Sequence, residues 1–281
     1  MTIWILAILL MASTALAGWR QGAIRASFSF VGILFATLLA GLIGRLVHPL
    51  LPHLGADNPI TAWALAPIVG FIVISVAFKV AARPVHNKVE HYYKYTAGDL
   101  RLALWSRMNT RLGICVGLLN GALYFILVSF VVFNLSYWTT QVAAAPQQSW
   151  TIRLVNNLGK DLQSSHLDRA VCAVGTMPPM YYQLADLSGL IMQNPQTGQR
   201  LADYPGLMSL WERDDMQSLV SDATLTNAPA AGTKLGTILD DPAVISFLKN
   251  KELTKLVTGV LQTNISDLMD YMKTGKSAKY S

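Results

Sequence analysis

The side chains able to do chemistry are few and scattered. His86, Glu90 and His91 share one basic stretch, His48 and His53 lie near prolines in another, and His166 follows Ser164 and Ser165 in the second half. A zinc site needs ligands at defined spacing, and the order His86, Glu90, His91 does not match the His-x-x-Glu-His arrangement. An acyl-transfer site needs a nucleophilic serine in a glycine-rich turn, with a histidine and a carboxylate converging on it. His166 is the sole histidine of the second half, and none of Ser164, Ser165, Ser188 and Ser209 has glycine on both sides. Asp214, Asp215, Asp240 and Asp241 read as solvated turns and helix caps. Cys115 and Cys172 fall in regions of different polarity, so no internal disulfide is expected. Cys172, between Ala170-Val171 and Ala173-Val174, reads as a buried small hydrophobe. The sequence points to no enzyme, and assigns no catalytic, cofactor-binding or metal residue.

The elements that would carry any site are more legible. Residues 26–44, 60–78 and 112–134 hold no charge over about 19 residues or more, enough at ~1.5 Å per residue to cross a ~30 Å hydrocarbon core. Residues 2–19 are also uncharged. The expectation is a four-helix transmembrane bundle over 1–140, with spans near 2–19, 26–47, 60–80 and 112–134. A signal peptide cleaved after Ala15-Leu16-Ala17 is the alternative for the first segment. It lacks the basic start such peptides carry, because the first basic residue is Arg20.

Charge sets the expected orientation. Arg20 and Arg25 lie between the first two spans without an acid. Lys79, Arg83, Lys88, Lys94, Arg101, Arg107 and Arg111 lie between the last two spans against Glu90 and Asp99 alone. Excess Lys and Arg marks cytoplasmic connections, so both termini and the second half are expected outside the cytoplasm. Residues 1–140 hold ten Lys/Arg against three acids, and 141–281 hold twelve against thirteen. The net charge of +6 is therefore topological and not the basic face of a nucleic-acid-binding domain. The 83–111 connection is expected to attract anionic headgroups of the lipid bilayer.

Small residues mark the contacts between spans. Gly113, Gly117 and Gly121 recur every four residues and form one flat stripe on which another backbone can approach closely. Gly18 and Gly22 repeat the spacing. Asn120 can hydrogen-bond across helices. No span carries a central ionisable residue of the kind transporters use. The alternative, an oligomeric channel or transport component whose pore forms only on oligomerisation, would need Thr37, Ser75, Asn120 and Ser129 as its polar lining.

Gly18-Trp19-Arg20-Gln21-Gly22-Ala23-Ile24-Arg25, with apolar helices after it and then Asn109-Thr110-Arg111-Leu112-Gly113-Ile114-Cys115-Val116-Gly117-Leu118-Leu119-Asn120-Gly121, resembles the colicin V production protein (CvpA) family over about residues 1–140. The resemblance implies a four-helix protein of the bacterial inner membrane, linked to toxin production or export and to envelope integrity. Relatives often carry an acid near the start of the first helix, where this chain has Trp4-Ile5-Leu6.

Residues 141–149 read as a linker containing Pro146, followed by a small all-α domain over 150–275 and a disordered tail over 276–281. Trp150, Leu154, Leu158 and Leu162 give one apolar helix face. A unit starting at Tyr204-Pro205 recurs 37 residues later at Asp241-Pro242, each with proline in a first turn, which suggests a two-copy helix-pair repeat. The last helix is expected to start near Asn264 or Ser266 and to end at Gly275. A protein partner on this domain and a homo-oligomer complete the expectations, and the glycine stripe fits packing either within one chain or between chains.

Overall fold

The computed structural model describes residues 2–54, 58–142, 150–174, 177–193, 200–201, 203–214, 216–217 and 241–280. Among these residues the secondary structure is nine α-helices and two short 3-10 helices, with no strand. The chain divides into two compact units, Met1–Val131 and Val132–Ser281.

Three long helices build the first unit: α1 (Thr2–Val47), α2 (Pro59–Tyr95) and α3 (Asp99–Val142), whose last turns belong to the second unit. Each is long and apolar enough to cross a membrane. At 46 residues, α1 would measure about 69 Å as a straight rod, more than twice the hydrocarbon thickness. It is not straight. Gly22 has φ 79° and ψ 168°, a conformation confined to glycine because any Cβ collides with the backbone. Contacts with α3 give the direction of the two arms. Moving back from Gly22, Gly18 meets Gly113, Thr14 meets Gly117, and Met11 and Thr14 meet Gly121. Moving forward from Gly22, Ala26 meets Asn120. Thr14 and Ala26 would be about 18 Å apart along one helix, yet both lie beside α3 residues 117–121. The chain therefore doubles back at Gly22, and the connection expected over 20–25 is a one-residue break.

The forward arm then pairs antiparallel with α2. Gly32 lies against Phe78, and Gly44 approaches the Ala66–Pro67 backbone while Gly70 approaches the Ala40 carbonyl. The basic loop expected over 79–111 is instead helical. α2 runs to Tyr95 and α3 starts at Asp99, with a turn at Thr96–Gly98 in which Gly98 takes φ 81°. Good helix formers carry the charge here, and Tyr93 stacks on Trp105 with centroids 5.2 Å apart, so the two extensions clasp each other.

The second unit packs the end of α3 with α4 (Trp150–Ser164), α5 (Leu167–Val174), α6 (Pro179–Gln193), α7 (Pro205–Trp211), α8 (Pro242–Lys249) and α9 (Lys251–Thr274). The unit boundary at 131/132 falls before the expected 141–149 linker, of which 143–149 lie outside the described residues. Leu187, Tyr204, Leu207, Leu210, Leu268 and Met272 form one core. α4 forms where the apolar spacing placed it, but Leu162 is fully buried while Trp150 is 69% exposed. Both proline-started helices appear, and Asp241 caps α8 by accepting from the Ala243 N–H at 2.8 Å. The continuation of the first copy beyond Gln217, and Asp215 and Asp240, lie outside the described residues.

Three local expectations are corrected. Asn250, not Asn264 or Ser266, caps the last helix by accepting from the Leu253 N–H, so α9 runs 24 residues and Asn264 sits inside it. Cys172 is exposed, because α5 buries Val171 and turns its neighbour outward. The tail expected to fray is held through residue 280: Asp267 accepts from the Ser277 hydroxyl at 2.7 Å and from the Ala278 and Lys279 N–H groups at 2.8 and 3.2 Å. Gly275 ends α9 in the left-handed conformation, as expected.

Candidate functional site

The glycine stripe and the loop motif meet at one seam within the first unit. A methyl carbon added to Gly18 would collide with the Gly113 carbonyl oxygen, and one added to Gly113 with the Gly18 carbonyl oxygen. Gly117 faces the Thr14 carbonyl in the same way, and Gly121 faces Met11 and the Thr14 side chain. At Gly18, Gly113 and Gly117 these are backbone-to-backbone contacts, so no side-chain rotation can relieve a substitution there. Dispersion over such close surfaces drives helix association where lipid supplies no hydrophobic force.

Asn109 secures the reversal. Its side chain fills the space a Cβ on Gly22 would need, and its Oδ1 lies 3.5 Å from the Ile24 N–H. That N–H belongs to the first turn after the break, where backbone donors have no intrahelical acceptor. Eleven residues along α3, Asn120 is buried and donates from Nδ2 to the Ala26 carbonyl at 3.1 Å. Its Oδ1 is buried without a partner, as are the Ser75 and Ser129 hydroxyls, while the Thr37 hydroxyl donates to the Ile33 carbonyl. Thr37 thereby falls out of the polar set named from sequence.

At the charged end, Arg20 is exposed, whereas Arg25 buries its Nε beside His86. His86 is 8% exposed, lies 3.5 Å from Glu90, and is tilted against Trp105. Burial and then the Arg25 charge hold its pKa below the ordinary value, against the opposing pull of Glu90. His91 packs on Tyr95 instead of joining His86. Among the described residues no three metal-ligating side chains gather. Arg83, Lys88, Lys94, Arg101, Arg107 and Arg111 are all exposed. The structure does not collect them into one site. His166 has φ 57° and occupies the turn that ends α4.

Sequence reasoning missed two polar clusters of the second unit. Tyr137 and Gln141 near the end of α3 both donate to Asp186 Oδ1, at 2.8 and 3.0 Å, while Tyr181 donates to the Asn134 carbonyl and Tyr182 to its side chain. Burial and the adjacent Tyr182 push the Tyr181 pKa up to about 12. Tyr137 and Trp138 pack edge-on against Tyr182 and Tyr181. The second cluster joins Tyr204 to α9: its hydroxyl donates to Asp267 at 2.7 Å. That bond, then the one from Ser277, lowers the Asp267 pKa. The only sequence signal was the Tyr-Tyr pair before an acid, which has no fixed spacing to its partners.

Residues 3–160 match the family described as colicin V production protein. No curated protein and no solved structure gives a match. The matched span exceeds half the chain, contains the Gly22 reversal and the whole glycine seam, and continues into α4. With three helices able to cross a bilayer, this is a multi-pass membrane protein, and the chain belongs to the colicin V production protein family.

Proposed function

We propose that the protein is a non-enzymatic scaffold or assembly factor of the bacterial inner membrane, serving toxin production or export and envelope maintenance. The observation that carries this reading is the combination of a glycine-sealed membrane unit of this family with a second unit that has its own buried core. The reversal at Gly22 supports four crossings, and the positive charge near the Gly22 and Gly98 turns supports placing both on the cytoplasmic side, with the two termini outside. A partner protein then meets the second unit, and chains can associate through the lipid-facing surface.

Crosslinking in native membranes tests the scaffold. Leu207 belongs to the core, so the photoreactive residue belongs at Met208, which is 54% exposed. Capture of one discrete protein supports the reading; labelling of lipid alone contradicts it.

The unpartnered Asn120 Oδ1, Ser75 Oγ and Ser129 Oγ favour a second reading, a channel component lined by these groups. Buried polar atoms in a membrane protein are costly unless they meet water, an ion or each other. Solute flux in liposomes that disappears in Asn120→Leu would support it.

A further inference from the structure

We propose that the cleft between the extensions of α2 and α3 holds one anionic phospholipid, with its phosphate at Arg101 and an acyl chain along Leu104, Met108 and Leu112. This inference needs only a multi-pass membrane protein and stands apart from the scaffold reading.

The cleft has a volume of about 560 Å3, inside the ~300–1,000 Å3 range of ligand sites. Its floor is Ala23 and Ile24, just past the Gly22 reversal, and its walls include Tyr92, Tyr93 and Trp105. Leu104, Met108 and Leu112 are four residues apart and so share one stripe of α3. They are 53%, 60% and 51% exposed and all three line the cleft. Half-exposed apolar side chains in one row gain from further burial, so the stripe calls for an apolar occupant. Leu112 also opens the uncharged run 112–134. The stripe therefore continues the membrane-facing surface outward without a break, as an acyl chain requires and a soluble ligand does not.

The polar end fits a phosphate. Arg101 lines the cleft and is exposed, and among the described residues no carboxylate pairs with it. Seven Lys/Arg against two acids over 79–111 make the surroundings positive, which favours an anionic over a zwitterionic headgroup. Tyr93 and Trp105, stacked nearly parallel, present aromatic rings of the kind enriched at headgroup level.

Native mass spectrometry of the full-length protein, titrated with phosphatidylglycerol and phosphatidylcholine, tests this. One phosphatidylglycerol should bind, preferred by about fivefold, the effect of one well-placed basic residue. Arg101→Gln should abolish the preference, and Met108→Gln should weaken both lipids. Arg107→Gln, outside the cleft, should change neither. The proposal is overturned if Arg101→Gln and Met108→Gln, eluting like the parent protein, keep its lipid stoichiometry and preference. It is equally overturned if inorganic phosphate alone displaces the lipid, since the site would then read a free anion.

Discussion

The two units differ in what dominates their buried surface. The first turns mainly small groups inward, with Gly18, Gly113, Ala26 and Ala36 buried beside a few larger ones such as Ile3 and Ile33, while Ile8, Leu38 and Leu46 are 66%, 77% and 72% exposed. The second buries Leu162, Tyr204, Leu268 and Met272, with Asp186 and Asp267 half-buried as hydrogen-bond acceptors. The contrast follows from the solvent. Water rewards burial of large apolar side chains, whereas lipid offers no such reward and leaves close backbone contact as the main attraction. The helix contacts of the first unit thus depend most on what is absent from its glycines, and the core of the second on large side chains.

The largest expected effect comes from refilling that absence. Gly22→Val forces a β-branched residue into a glycine-only conformation, and Gly113→Leu drives a side chain into the Gly18 backbone. Either variant should lose the folded membrane unit, seen as failure to elute as a single species in detergent, while leaving the second unit's protease-resistant fragment intact. Next comes Tyr204→Ala, which removes a fully buried ring from the second unit at a cost of ~3–5 kcal/mol. Thermal unfolding should register that loss, and proteolysis should release residues 276–281, with elution of the membrane unit unchanged. Asn120→Leu removes one interhelical hydrogen bond, worth ~0.6–2 kcal/mol, and should lower stability in detergent modestly.

Acid separates the units most finely. His86 has a depressed pKa, so its contribution is complete above its ordinary 6.5 and is lost as pH falls through the lower folded value, when a charge forms beside Arg25. Glu90 on α2 partly offsets that charge, and Trp105 on α3 supplies none. Asp267 is also depressed, but from 3.8, so the tail clasp persists until far more acidic conditions. Hydrogen exchange should show the Arg25–His86 contact loosening first and residues 277–279 later; His86→Gln should remove the first step alone.

Much of the first unit was legible because its constraints are local. Uncharged runs give span length, Lys and Arg give a polarity, and glycines four apart give a seam. A connection between two spans was expected over 20–25, but its narrowing to the single residue Gly22 was not legible, and only the pairing of Thr14 and Ala26 with α3 shows it. The helical extensions on either side of the Thr96–Gly98 turn were hidden by charge, which reads as loop until Tyr93 and Trp105 are seen to stack. In the second unit the Pro205 and Pro242 starts were legible. The Gln141–Asp186 and Tyr204–Asp267 pairs join residues 45 and 63 apart, a separation no local pattern encodes. Asn250 caps the last helix, so α9 extends 24 residues through the position where the cap was expected.

The account rests on the chain doubling back at Gly22, and a pair of spin labels at Leu9 and Phe35 in the reconstituted protein tests this most directly. The two positions are exposed and equally far from Gly22. Antiparallel arms packed at ~8–10 Å predict a label separation under about 20 Å. A separation near 39 Å, that of one continuous helix at ~1.5 Å per residue, would contradict it.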